Sequence, residues 1–159
     1  MKSVCFTGHR NISENRVADL YEELTKLLER GVSKGITEYY AGGAIGWDTI
    51  CEEVVLGLKK KYEGVHLHLI LPCSNEEQVK KWTEIQKDKF YEILALADTV
   101  EYVSDYYYNG CMKLRNERLV ELADVCLCYY NIADKRSGTG QTVRMAERKG
   151  LKVYNFYKA

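Results

Sequence analysis

Three short stretches of the sequence combine glycines with hydroxyl or charged side chains, a composition typical of phosphate-binding turns. They are residues 7–10 (TGHR), 42–48 (GGAIGWD) and 136–142 (RSGTGQT). Glycine lets a backbone turn tightly and approach a ligand, and free N–H groups at the start of a helix point towards an anion. Together the three stretches predict a site for the phosphate and sugar of a nucleotide-like ligand.

Each stretch contains side chains suited to such a ligand. Arg10 supplies a positive charge, Asp48 could accept hydrogen bonds from ribose hydroxyls or merely cap its helix, and hydroxyl groups come from Thr7, Ser137, Thr139 and Thr142. Taken singly, any of these turns is better explained as a tight turn with a helix cap, and it is their occurrence together at one sheet edge that favours a ligand site. None matches the GxGxxG or GxxxxGK[ST] patterns, so neither dinucleotide oxidoreductase nor P-loop NTPase chemistry follows.

The elements that must position these turns alternate between strand and helix. Apolar runs predict strands at 3–7, 36–41, 65–71, 99–103, 125–130 and 152–156. Helical spacing predicts helices at 13–30, 48–61, 111–123 and 140–149, and a long helix that a capping-box pattern at Ser74 and Glu77 opens and that runs to Ala97. This order predicts one α/β domain over residues 1–159, Rossmann-like and doubly wound, with a mostly parallel sheet and helices on both faces. Ligands bind such sheets beyond the carboxyl ends of the strands, where the three turns lie.

Composition narrows the classes of partner. The 159 residues carry 23 Lys+Arg and 23 Asp+Glu, so the formal net charge of zero disfavours, without excluding, a role on the nucleic-acid backbone. No apolar stretch approaches the roughly 20 residues that a membrane span needs, and MKSVCFTG does not have the form of a signal peptide. We therefore expect a cytoplasmic protein without a membrane partner, whose six cysteines are reduced, buried thiols.

Two further groups of residues have a structural and a functional interpretation. His66 and His68 share one face of a predicted strand, but without a third ligand nearby we interpret them as structural and predict no metal site. Residues 106–108 are three consecutive tyrosines. They could stack on a base or form an ordinary surface or oligomer contact, so a homo-oligomer is one of the expectations.

The motifs FTGHR, AGGAIGWD, RN at Arg115 and Asn116, and SGTGQTVRMAERKG, in this order, resemble the SLOG superfamily and within it the YpsA-like group. This group is related to DprA/Smf DNA-processing proteins and to LOG phosphoribohydrolases. The resemblance implies a Rossmann-like domain that binds a nucleotide or a derivative such as NAD or ADP-ribose, with no certain cofactor. Carried over, the ligand-binding residues are Gly8, His9, Arg10, Gly42, Gly43, Gly46, Asp48, Arg115, Asn116, Ser137, Gly138, Thr139 and Thr142.

The chain also departs from the LOG pattern. LOG enzymes resemble one another in a PGGxGTxxE motif, whose Glu serves cleavage of the base–ribose bond; here the matching position holds an apolar or basic residue, and the next acid is Glu147. The resemblance therefore favours a sensor-type binding domain without catalysis. Two alternatives stay open: a nucleotide hydrolase that uses His9, Asp48 or Glu147, and a single-stranded DNA binder of the DprA type, whose SGGARGID resembles AGGAIGWD.

Overall fold

The computed structural model describes residues 3–159, in which strands and helices alternate along the chain. The strands are β1 (Ser3–Gly8), β2 (Glu38–Ala41), β3 (His66–Leu71), β4 (Thr99–Tyr102), β5 (Val125–Tyr129) and β6 (Lys152–Asn155). The helices are α1 (Glu14–Ser33), α2 (Trp47–Lys61), α3 (Asn75–Gln78), α4 (Glu84–Leu96), α5 (Cys111–Leu122) and α6 (Gly138–Lys149). Over residues 3–159, none of the helices has the length and hydropathy needed to cross a membrane.

All six strands form one sheet in the order β4-β3-β2-β1-β5-β6, and every neighbouring pair is parallel. The predicted Rossmann-like α/β fold is therefore confirmed. The chain adds strands on one side of β1 as far as β4 and then crosses to the other side for β5 and β6. The topological switch point consequently lies between β1 and β5, whose following loops diverge in opposite directions.

The two faces of the sheet are covered by different helices. Alternate strand residues such as Phe6, Leu67 and Leu69 pack against α1, α2 and α4 in one buried cluster. Residues of the opposite parity, including Cys5 and Cys126, pack against α5 and α6 in a second cluster. Because successive side chains of a strand point to opposite faces, strands buried on both sides read as continuous apolar runs.

The single long helix predicted from Ser74 to Ala97 is wrong, because the segment forms two helices, α3 and α4. The Ser74 side chain makes no capping bond, and the carboxylate of Glu77 instead accepts the backbone N–H of Tyr107. A complete capping box forms further on, between Thr83 and Gln86, and begins α4 there. The chain therefore turns between the two helices, and residues of this turn line a neighbouring cavity.

Candidate functional site

A cavity of about 340 Å³ lies at the switch point, beyond the carboxyl ends of β1 and β5. We call it the switch-point cavity. Its wall contains most of the residues predicted from the sequence, together with several apolar neighbours. The predicted residues are Thr7, Gly8, His9, Arg10, Asp48, Arg115, Asn116, Ser137, Gly138 and Thr139, and the others are Phe6, Ala44, Met112 and Leu119. Its volume falls near the lower end of the range of small-molecule sites.

One wall of the switch-point cavity is the start of α6. Ser137 is the N-cap residue, and its Oγ accepts the backbone N–H of Gly140 at 2.9 Å. The first N–H groups of a helix have no acceptor inside it, and Gly138 and Thr139, which carry two of them, both line the cavity. Helix N-termini favour anions because these N–H groups and the helix dipole both present positive charge.

Thr142 lies one turn further along α6 and does not line the cavity. It is fully buried, and its Oγ1 donates to the carbonyl of Gly138 at 3.0 Å. Its hydroxyl is thus engaged within the helix, so we assign it to the support of the first turn.

A buried cluster of charges stands behind the cavity. Arg115, Asp48 and Glu52 are only 5%, 5% and 3% exposed. Arg115 Nε donates to Asn116 Oδ1 at 2.7 Å, and its Nη1 donates to the carbonyl of Gly42. Buried charges require opposite charges or hydrogen bonds; here the guanidinium is hydrogen-bonded to Asn116 and Gly42, and its charge acts through space on the two carboxyls.

The two carboxylates hold the glycine turn that follows β2. Asp48 Oδ2 accepts the backbone N–H of Ala44 at 3.2 Å, and Glu52 Oε2 accepts that of Gly43 at 3.1 Å. Gly42 and Gly43 do not line the cavity. They connect the cavity wall to the charge cluster through these hydrogen bonds. A Cβ at Gly42 would collide with the Arg115 guanidinium, so the absence of a side chain lets the arginine approach the backbone.

The pKa values of the three charged groups in this cluster are shifted strongly by burial and by one another. Burial raises the pKa of Asp48 to about 6, against the guanidinium of Arg115, which lowers it. Burial, and then the neighbouring Asp48, raises the pKa of Glu52 well above its usual range. Burial likewise lowers the pKa of Arg115, and the Asp48 carboxylate opposes this. At neutral pH Asp48 is therefore ionised, with the charge of Arg115 favouring its carboxylate, while burial favours the neutral form of Glu52.

Asp48 also has unused hydrogen-bonding capacity. Within residues 3–159, its buried Oδ1 has no well-formed hydrogen bond. A buried carboxylate oxygen without a donor is unfavourable, and a ligand hydroxyl could supply the missing donor.

His9 joins the loops on the two sides of the switch point. The backbone N–H of Asn131 donates to His9 Nε2 at 2.9 Å, so Nε2 is the unprotonated nitrogen and the proton is assigned to Nδ1. The His9 carbonyl accepts the backbone N–H of Trp47 at 3.2 Å. The residue therefore has a structural role in the turn as well as a place on the cavity wall.

Gly46 adopts a conformation that its position requires. Its φ is 81°, in the left-handed region, and it is the N-cap residue of α2. A Cβ there would collide with the backbone carbonyls of His9 and Arg10. Gly46 thus lies outside the cavity wall but allows the first and second turns to pack against each other.

Arg10 is the exposed cation of the site. It lines the switch-point cavity and also two larger neighbouring cavities, of about 640 and 710 Å³. In the described part of the chain it forms no ion pair within 4 Å. It is therefore available to an anionic ligand.

Three positions important for the site were not predicted from the sequence. They are Glu52, Asn131 and Asn155; the Asn155 amide donates to the Tyr130 carbonyl at 2.8 Å and accepts its N–H at 3.0 Å. Glu52 could have been found, because it lies one helical turn after Asp48 among the apolar residues that α2 buries. The two asparagines left none, since their bonds to the loop after β5 depend on chain segments that are distant in sequence.

The other candidates lie away from this site. Glu38 bridges the two histidines, with its Oε2 3.0 Å from His66 Nδ1 and its Oε1 2.8 Å from His68 Nε2. No group of three or more His, Cys, Asp or Glu residues within 3–159 could hold a metal ion. Glu147 is exposed on α6, outside the cavity wall, and all six cysteines are free and buried.

A family model named YpsA, described as the YspA SLOG family, matches residues 4–157. The chain belongs to the YspA SLOG family. Among the relatives of this family member, a UPF0398 protein of Halalkalibacterium halodurans is 28% identical over 144 residues, which cover 89% of this chain and 72% of the relative. A UPF0398 protein of Bacillus cereus is 25% identical over 167 residues, with coverage of 99% and 89%.

Two solved structures share the fold of this family member. DNA processing protein A of Helicobacter pylori superposes with a TM-score of 0.68 at 19% identity, over 99% of this chain and 66% of that chain. The protein TM1055 superposes with a TM-score of 0.59, also at 19% identity, over 96% of this chain and 72% of that chain. At these identities the likeness establishes the Rossmann-like fold alone.

Proposed function

We propose that this family member binds a nucleotide or a nucleotide-derived small molecule in the switch-point cavity, without turning it over. The observation that carries the proposal is the meeting, in one cavity of about 340 Å³, of the α6 N-terminus, the exposed Arg10 and the buried Asp48. The three groups come from three different turns. Their convergence suits one ligand that combines an anion with hydroxyl groups.

The phosphate is the part of the ligand that α6 and Arg10 would bind. The N–H groups of Gly138 and Thr139 lie at the cavity wall, and the guanidinium of Arg10 can donate from the opposite turn. Arg115 adds positive charge from within the protein, although its Nε and Nη1 already donate to protein acceptors.

The ribose is the part that Asp48 would bind. Above a pH of about 6 its carboxylate is ionised. A sugar hydroxyl that donates to Oδ1 would satisfy the oxygen that lacks a well-formed bond. We therefore expect ligand affinity to fall as the pH drops below about 6.

Titration calorimetry with ribose 5-phosphate, AMP, NAD and ADP-ribose tests this proposal, with mass spectrometry of the ligand after each titration. Arg10→Ala should weaken the ligand that binds by roughly tenfold or more, the loss expected for a charge-assisted hydrogen bond. Arg144→Ala is the matched control, because Arg144 is an exposed arginine on α6 outside the cavity wall. Absence of binding by every ligand, or an equal loss in both variants, would contradict the proposal.

A hydrolase is the second candidate, and the pKa of Asp48 is the observation that favours it. A buried carboxyl whose pKa is about 6 could donate a proton near neutral pH. Cleavage of a base–ribose bond would transfer that proton to the leaving base while water adds its hydroxyl to the sugar carbon, and the remaining proton of the water would return to the Asp48 carboxylate. Free base that forms with the native chain and not with Asp48→Asn would establish this activity, whereas ligand recovered intact supports binding alone.

Single-stranded DNA is the third candidate. DNA processing protein A of Helicobacter pylori, which shares the fold, binds single-stranded DNA. In this chain, Lys80 and Lys81 line the cavity on one side of Arg10, and Arg16 and Lys158 line the cavity on the other. Arg16 and Lys158 are both paired with Glu23, which lowers their contribution. Binding to an oligonucleotide that weakens steeply with salt would support this candidate, and no binding at low salt would exclude it.

A further inference from the structure

A second cavity adjoins the switch-point cavity. It has a volume of about 710 Å³, and the two cavities share Arg10, Ala44 and Met112 in their walls. A ligand anchored in the switch-point cavity could therefore extend past Arg10 into this space. We call it the corner cavity, because the turn between α3 and α4 forms one of its sides.

Two aromatic side chains from separate parts of the chain line the corner cavity. Trp82 lies in the turn between α3 and α4, and Tyr107 belongs to the tyrosine-rich loop after β4. Tyr107 is 58% exposed, so much of its ring is uncovered. Aromatic faces of this kind stack on nucleobases, which all present a flat π-system.

The loop that carries Tyr107 is held in place by polar contacts. Glu77 accepts the backbone N–H of Tyr107, and the Tyr102 hydroxyl donates to Asn75 Oδ1 at 2.8 Å. Both contacts connect the loop side of the cavity to α3. The broken helix and the tyrosine-rich loop thus form one continuous side of the cavity.

The cavity on the other side of Arg10 has a different character. It has a volume of about 640 Å³, and its wall is largely polar, with Asn11, Ser13, Asn15, Asn131 and Asp134. Its tyrosines, Tyr129 and Tyr157, pack against each other with ring centroids 5.3 Å apart. The corner cavity instead combines its aromatic residues with the apolar side chains of Ile45, Pro72 and Met112. An aromatic base therefore fits the corner cavity better.

We infer that the corner cavity is the binding site for the aromatic base of the ligand, with Trp82 and Tyr107 as its stacking residues. The inference rests on the proposed function, because the sugar and phosphate must be anchored in the switch-point cavity. It assigns one of the three tyrosines a role and names the ligand class as a base-bearing nucleotide. A bare sugar phosphate would occupy the switch-point cavity and leave the corner cavity empty.

Comparison of AMP with ribose 5-phosphate by titration calorimetry tests the inference on the native chain. AMP should bind more tightly, by roughly 5- to 150-fold, the range expected for stacking of one base. If ribose 5-phosphate binds and AMP binds no more tightly, the inference is wrong while the proposed function stands. If neither binds, the inference is wrong, and the proposed function is wrong as well if NAD and ADP-ribose also fail to bind.

Matched variants locate the base. Tyr107→Ala and Trp82→Ala should weaken AMP by roughly fivefold or more and leave ribose 5-phosphate within about twofold. Tyr106→Ala is the control, because Tyr106 is the neighbouring tyrosine, 63% exposed and outside the cavity wall. Trp82→Phe should retain most of the AMP affinity and covers the case in which Trp82→Ala fails to fold. Parallel losses for both ligands, or an equal effect of Tyr106→Ala, would overturn the inference.

Discussion

Replacing Arg115 with methionine should destabilise the protein strongly, because it removes the buried guanidinium beside two buried carboxylates. Within residues 3–159, Asp48 and Glu52 would then keep just one well-formed bond each, to the N–H groups of Ala44 and Gly43. Leaving a buried charge without a compensating one costs about 3–5 kcal/mol. This is a large part of the roughly 5–15 kcal/mol that stabilises an ordinary domain.

The pH dependence of this loss identifies its cause. Arg115 is the largest influence that lowers the pKa of Asp48, so in Arg115→Met that pKa should rise further above 6. At pH 5 Asp48 of the variant would be protonated and uncharged, so its uncompensated charge would disappear. We therefore expect the difference in free energy of unfolding between the native chain and the variant to be large at pH 8 and smaller at pH 5.

The assay is urea unfolding at pH 8 and pH 5, followed by circular dichroism. Arg118→Met is the matched control, because Arg118 lies on the same helix and pairs with Glu101 at the surface, at 2.7 Å. Exposed pairs contribute about 0–1 kcal/mol, so this variant should differ little from the native chain. An Arg115→Met variant that loses no more than Arg118→Met at pH 8, or whose loss is the same at pH 5, would refute the reasoning.

Three further outcomes are expected. The folded pKa of Asp48, about 6, exceeds the usual 3.8. Its proton therefore stabilises the fold at low pH, and about 3 kcal/mol of the free energy of unfolding should be lost as the pH rises from 4 to 6. A difference in free energy of unfolding between the native chain and Asp48→Asn that stays constant over this interval would contradict this expectation. Gly46→Ala should lower the free energy of unfolding in urea by several kcal/mol, because the new Cβ would meet backbone carbonyls. Gly64→Ala is the control: Gly64 also has a positive φ but open space around it, so its loss should be about 1 kcal/mol. Equal losses in the two variants would argue against the packing explanation. Asn155→Ala should cost about 1–3 kcal/mol and weaken ligand binding in calorimetry, since it frees the backbone groups of Tyr130; unchanged affinity would show that the loop after β5 does not need this support.

Local patterns were sufficient for most of the secondary structure and failed where two local signals competed. The strand at residues 65–71 was predictable because an apolar run ends at the only proline of the chain. The helix predicted from Ser74 was not, because its capping pattern competes with a second one at Thr83 and Gln86. The outcome depends on Glu77, whose carboxylate binds the backbone of a loop 30 residues further along the chain.

The candidate site was predictable to the extent that its residues follow strands. Turns after β1 and β2 and before α6 converge because the carboxyl ends of parallel strands share one edge of the sheet. The sequence pattern could not distinguish the residues that line the cavity from those that stabilise the structure around it. Thr142 and Gly42 carry the same residue types as the wall, yet one hydroxyl is used inside α6 and the other position accommodates a guanidinium.

By itself, then, the sequence determined the alternation of strands and helices, the parallel sheet and the edge at which the glycine turns collect, because all of these follow from periodicity and chain order. Only the tertiary structure decided the position of the switch point between β1 and β5, the burial of Asp48 and Glu52 around Arg115, and the meeting of Trp82 with Tyr107 in one cavity. Those features depend on contacts between residues far apart in the chain. Burial and proximity, which set the charge of Asp48 and the shape of both cavities, exist only once the chain has folded.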